Sequence, residues 1–187
     1  MKKLLFLTIT SFFYVLSITA QPRAIGLRLG ANSAELTFHQ LLNSEENLLE
    51  FDFGTSWHGA LQGAITYNWT SSTASGDWTT YAGFGIGGSY SWSDNSWYPG
   101  LTLSSTNPTT KVNWYLKQYW TWGVSGMVAV EYKIPNLPIA VSLDYRPLIG
   151  FDFGTKENAG NKNGNFGIMY HVPGLWNFGV AARFLLR

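Results

Sequence analysis

The chain has 187 residues, of which 45% are hydrophobic, 17% aromatic and only 12% charged, with a formal net charge of +1. High hydrophobicity with so little charge excludes disorder, and the absence of Cys excludes a disulfide scaffold and a thiolate metal site. A near-neutral chain offers no basic footprint, so nucleic acid is not expected as a partner, and the length fits one domain.

The first element is an address for export. Met1-Lys2-Lys3 forms a positive start, Leu4 to Ile18 is mainly apolar, and Thr19-Ala20 before Gln21 supplies small residues at a cleavage point. The apolar run is shorter than the roughly 20 residues of a spanning helix. This predicts a signal peptide over 1–20 and one folded domain over 21–187. Cleavage takes Lys2 and Lys3, leaving 10 basic against 11 acidic side chains, a net of −1.

After Gln21 no apolar run is long enough for a membrane helix, and helical spacing does not persist. Alternation with period two does, and it predicts strands. Ile25, Leu27 and Leu29 flank Gly26, Arg28 and Gly30; Leu36 and Phe38 begin a shorter strand; Leu49, Phe51 and Phe53 alternate with Glu50, Asp52 and Gly54. Further on, Phe84 and Ile86 alternate with glycines, Val128 and Val130 with Ala129 and Glu131, Val141 and Leu143 with Ser142 and Asp144, and Phe178, Val180 and Phe184 with Gly179, Ala181 and Arg183. Eight strands result, at 24–31, 34–41, 47–57, 59–69, 78–92, 121–134, 138–152 and 176–187. Several have the roughly 9–11 residues a tilted strand needs to cross a bilayer. Short connections on one side and two long ones on the other, Ser93–Trp120 and Gly154–Leu175, complete the pattern of an all-β, eight-stranded antiparallel up-and-down transmembrane barrel.

The two faces of each strand assign inside and outside. The bulky side carries most of the Phe, Tyr and Trp, too much for an eight-stranded interior. The other side is Gly, Ala, Ser and Thr with a few charges. Trp57, Trp69, Trp78, Trp92, Trp122, Tyr145 and Trp176 fall at strand ends, as interfacial girdles do. Arg or Lys at mid-depth in lipid costs about 2–4 kcal/mol, so Arg28, Arg146 and Arg183 are expected in the lumen. With Glu50, Glu131 and Asp144 they are expected to form an ion-pair network, centred on Glu131, Asp144, Arg146 and Arg183, because buried charge persists only when paired. Lys133, Arg187 and Asp52 share that polar face.

Four segments carry a family resemblance: Ala24-Ile-Gly-Leu-Arg-Leu-Gly30, Gly126-Met-Val-Ala-Val-Glu-Tyr132, Leu137-Pro-Ile-Ala-Val-Ser-Leu-Asp-Tyr-Arg-Pro147 and Asn177-Phe-Gly-Val-Ala-Ala-Arg-Phe184. In this order, across 21–187, they resemble the small outer-membrane β-barrel proteins of Gram-negative bacteria, of the OmpA/OmpX-like eight-stranded type. The resemblance implies residence in the cell outer membrane among lipid and lipopolysaccharide, and insertion by the barrel assembly machinery. Family members usually end on an aromatic residue, whereas Phe184 is followed here by Leu185-Leu186-Arg187. The resemblance implies no single activity.

Candidate chemistry is sparse. His39, His58 and His171 lack metal-ligand spacing, so no metal or cofactor is expected. Some outer-membrane barrels modify lipid A with a His, a Ser and a carboxylate, and Ser56, His58 and Asp52 lie near one strand end. Ser56 and Asp52 are four residues apart, roughly 13 Å along a strand, too far for a tight triad. Phe51-Asp-Phe-Gly-Thr55 recurs as Phe151-Asp-Phe-Gly-Thr155 without the loops of a kinase. The segment Ser93–Trp120 is the binding candidate, because it holds Trp97, Tyr98, Trp114, Tyr115 and Trp120 with Lys111 and Lys117. The expectation is a non-enzymatic barrel with a structural or surface-interaction role and an unidentified extracellular ligand. A lipid-modifying enzyme and a soluble ligand-binding barrel stand as rivals.

Overall fold

The computed structural model describes residues 22–42, 46–94, 114–158, 166–171 and 173–186. The expected signal peptide over 1–20 and the candidates Trp97 and Tyr98 lie outside them. Ten strands form: β1 (Pro22–Gly30), β2 (Ser33–Leu42), β3 (Asn47–Ser56), β4 (Ala60–Ser72), β5 (Trp78–Asp94), β6 (Trp114–Lys133), β7 (Ile139–Tyr145), β8 (Leu148–Asn158), β9 (Phe166–Tyr170) and β10 (Phe178–Leu185). All pairings are antiparallel, and the ring closes because β5 pairs with β6, β6 with β7, β7 with β10 and β10 with β1. The result is an eight-stave closed up-and-down barrel.

Ten strands make eight staves because two staves are interrupted. The seventh is β7 and β8, parted at Arg146-Pro147. Its register against β6 is kept across the gap: Val128 faces Tyr145 below it and Ser125 faces Leu148 above. The Pro147 carbonyl still accepts from Gly126 N at 2.8 Å, so the break costs little pairing. The eighth stave is β9 and β10, parted by a 3-10 turn at Pro173–Trp176. The sequence reading made the seventh strand continuous over 138–152 and began the eighth at 176; proline in the one and the turn in the other account for the difference.

Following the ladder sideways from Leu27 leads to Leu36, Phe53, Gly63, Gly88, Trp122 and Phe151. A full circuit returns to β1 about ten residues higher, which for eight strands tilts the staves by roughly 40°. Close strand contact requires residues without side chains. A Cβ on Gly85 would lie 1.8 Å from the Ile65 carbonyl oxygen.

The faces sort as the alternation implies. Leu27, Phe84, Ile86, Val124, Val128 and Leu143 point outward and are exposed, whereas Arg28, Glu50, Glu131, Asp144, Arg146 and Arg183 are buried inside. This is the reverse of a water-soluble barrel, whose bulky apolar side chains fill the centre. The outward face is bounded by rings. At the turn end Trp78 packs on Tyr132 with centroids 4.7 Å apart, and toward the loop end of the same strand pair Tyr90 packs on Trp120, also at 4.7 Å. Trp78 and Tyr90 are twelve residues apart along β5. At about 3.3 Å per residue and the tilt above, the two levels are separated by about 30 Å along the barrel axis.

Candidate functional site

The lumen is built from the inward residue of every second position, and its contents change from one end to the other. At the turn end, where both described termini lie, Leu48, Tyr81, Met127 and Ala129 form a buried apolar cluster with Leu41 packed against it. This plug closes the bore.

Beside it, at the same level of the bore, lies a first charged cluster. Arg183 on β10 reaches Glu50 of β3 at 3.1 Å, Glu131 of β6 at 3.3 Å and the Ser142 hydroxyl of β7 at 2.6 Å. His39 is held between the same two carboxylates, with Nε2 3.3 Å from Glu50 and Nδ1 3.9 Å from Glu131, and its ring meets Tyr81 edge-on. Arg23, at the barrel's lower rim, lies 3.7 Å from Glu131.

A second cluster occupies the middle. Arg28 donates to Asp144 through Nε at 2.9 Å and through a terminal nitrogen at 2.5 Å, and lies 3.4 Å from Glu35. Arg146 bonds to Glu35 with one terminal nitrogen and to Asp52 with the other. Glu35 also accepts from Ser33 at 2.8 Å and from the Gln62 amide. The pleat carries on through the break at Arg146-Pro147, with Asp144, Arg146 and Asp152 all inward, so the guanidinium points into the bore.

Higher still, the buried Asp152 carboxylate accepts from the Thr121 hydroxyl at 2.6 Å and lies 2.9 Å from His171 Nδ1. Between this level and the Glu35–Arg146 floor the lumen widens into a cavity of about 70 Å³. At roughly 10–15 Å³ per water centre, that is room for about five waters. Gln62, Asn32, Asn177 and Ser89 line its wall, and His58 stands at its rim.

The expected lumen residues are thus all inside, but not in the expected partnership. The sequence reading grouped Glu131, Asp144 and Arg146 because their strands adjoin. Glu131 does pair with Arg183, within the expected centre, but Asp144 pairs with Arg28 and Arg146 crosses to Glu35 and Asp52. Adjacent strands set the neighbours, but long guanidinium side chains in a narrow bore select partners across it. Glu35, Thr37 and His39 were missed as site residues, although Glu-Leu-Thr-Phe-His alternates cleanly and marked them as inward. Lys133, read as lumenal, is exposed at the turn end.

The loop candidates also need correction. Trp114, Tyr115 and Trp120 belong to β6, not to a loop, with Trp114 opposite Asn158 and Tyr115 opposite Glu157 on β8. Trp120 faces outward against Tyr90. The Ser56–His58–Asp52 grouping does not assemble either: Asp52 is bound by Arg146, and the Ser56 hydroxyl accepts from the His58 backbone at 3.3 Å.

Comparison with protein-family models, with curated proteins and with solved structures found no match.

Proposed function

We propose that this chain is a small outer-membrane β-barrel protein of a Gram-negative cell, non-enzymatic, with a plugged polar lumen and a structural or surface-interaction role. The observation that carries the reading is the reversed polarity. An apolar belt runs around the barrel, while three arginines and their carboxylates are enclosed. In water such a belt would far exceed the few hundred Å² of apolar patch that a soluble monomer tolerates. In a bilayer the same belt is solvated by acyl chains. The two aromatic levels on β5 and β6, about 30 Å apart, match the hydrocarbon thickness and the positions of interfacial girdles. A closed ring also leaves no strand edge in the lipid within the barrel wall.

The partners follow from that placement: outer-membrane lipid and lipopolysaccharide around the belt, and the barrel assembly machinery during insertion after export. Both described termini lie with the short turns on what is then the periplasmic side.

The enzyme reading has one feature in its favour, the His171–Asp152 pair held by Thr121. That pair opens into the bore and not onto the belt, so a membrane lipid would have to leave the bilayer to meet it. Lipid A mass spectra from cells with and without the gene test this directly: a changed profile would support the rival and sink the non-enzymatic reading.

The main test is heat-modifiable migration of the detergent-extracted protein together with its fractionation. The expected result is a compact band that shifts on boiling, from protein recovered in the outer-membrane fraction. Recovery of the mature chain dissolved in the periplasm would overturn the proposal.

A further inference from the structure

From the shape and chemistry of the loop end of the bore we infer that the cavity above Arg146 is a binding cup for a small uncharged polyhydroxylated solute, a single sugar ring in size. This goes beyond membrane residence: a cup that takes no sugar would leave the barrel's insertion untouched.

Four observations carry it. The cup is blind. Below its floor the bore is filled by the Arg183–Glu50–Glu131 cluster and, beside it, the apolar cluster of Leu48, Tyr81, Met127 and Ala129, so a solute entering from the loop end is retained instead of passed through. The charged groups of the floor are engaged with one another. Glu35 and Arg146 bond to one another, and each has further partners, Arg146 in Asp52 and Glu35 in Arg28, Ser33 and Gln62. A charged ligand would have to break those pairs or sit unpaired beside them, and both are costly in a desolvated bore.

The wall, beside His58 and His171, carries mainly neutral hydrogen-bonding groups. Asn32, Gln62 and Asn177 bring amides, of which Gln62 also donates to Glu35 and Asn177 also accepts from Arg28, and Ser56 and Ser89 bring hydroxyls. Amides and hydroxyls both donate and accept, which is what a ring of hydroxyl groups requires. Apolar patches from Tyr119, Leu148 and Ala64 complete the lining, and can meet the C–H faces of such a ring.

Lastly, the space is maintained by a missing side chain. Gly87 faces inward on the wall. A Cβ on Gly87 would already come within 3.0 Å of the Leu148 side chain. Five waters at about 30 Å³ of liquid each take about 150 Å³, on the order of one hexose. Only about a dozen heavy atoms would bind, so the affinity should be modest, on the order of millimolar.

The experiment is saturation-transfer NMR on the refolded barrel in detergent micelles, with D-glucose, D-galactose and N-acetyl-D-glucosamine as probes, and choline and acetate as charged controls. The expected result is saturable transfer to at least one sugar and none to the charged controls. Ser89→Trp should fill the cup and Gln62→Leu should remove an amide, each weakening binding at least tenfold while heat-modifiable migration is kept. If Ser89→Trp fails to fold, Gln62→Leu alone decides. Saturable binding of choline or acetate without sugar would overturn the ligand class. Absence of saturable binding by all three sugars, or sugar binding unaffected by Gln62→Leu, would overturn the cup.

Discussion

Arg146 and Asp52 sit on opposite staves of the barrel, the seventh and the third, and meet through its centre with both side chains buried. Four staves separate them in either direction round the ring, so this pair braces the bore across its diameter. Glu35 shares the same guanidinium. Arg146→Met therefore leaves two carboxylates without their cation in a desolvated space. The expected cost is about 3–5 kcal/mol, read from urea unfolding of the refolded protein by tryptophan fluorescence. The double variant Arg146→Met with Asp52→Leu should recover part of that loss, showing a coupling energy above about 0.5 kcal/mol. Strictly additive single effects would mean that the two do not brace one another.

The outward face makes a different prediction. Leu143 lies near mid-height on β7, 64% exposed and pointing away from Asp144. Leu143→Arg places a cation against acyl chains at depth and should lower stability by about 2–4 kcal/mol in a bilayer. In a detergent-free aqueous refolding assay the same change would improve solubility. The measurement is unfolding in lipid vesicles, with Ala74→Arg at an exposed turn as control. Equal, negligible effects at the two positions would contradict the membrane placement.

How much of this could be read from the chain depends on the physical rule in play. Period two fixed the faces: one step along a strand exchanges inside for outside, so Arg28, Asp144 and Arg183 could be assigned without coordinates. The rule fails where the pleat is interrupted. On β6, Leu116 and Tyr119 both point inward although they are three residues apart, because Gln118, with φ 52°, is an extra residue in the ladder. That bulge hid the upper part of the strand and made Trp114 to Trp120 look like loop. Pro147 gave a visible signal of a break, yet not that the register would survive it. Cross-bore pairing was not legible at all. Which Arg meets which carboxylate depends on the height of each residue on its tilted stave, and that follows from the stagger accumulated around the whole ring.

The stagger itself depends on close strand contact, which gives a prediction at Gly85. Any side chain there would press on the Ile65 carbonyl oxygen, and that contact is backbone, with no flexible end to move aside. Gly85→Val should cost about 1–3 kcal/mol, the range for overpacking a filled site. Gly76→Ala is the comparison: its Cβ would meet nothing within 4 Å, but its φ of +74° still disfavours a side chain, so a smaller loss is expected. The two are compared by urea midpoint in the same micelle. Equal losses would show that tight packing at Gly85 is not what limits the strand.

The bore also predicts a transport property. An ion entering from the loop end meets the Glu35–Arg146 floor and then the Arg183–Glu50–Glu131 cluster packed beside the largely apolar cluster of Leu48, Tyr81, Met127 and Ala129. An eight-stranded bore has only enough width for its own side chains. The wild-type protein in planar bilayers should therefore show no steady conductance. Leu48 and Met127 carry no polar group, so Leu48→Ala with Met127→Ala should thin the apolar cluster without touching an ion pair. Because the charged clusters remain, the double variant is expected to show at most brief openings. A large, stable current through the wild type would mean that the clusters and plug do not close the bore, whereas a stable current appearing only in the double variant would locate the seal in the plug alone.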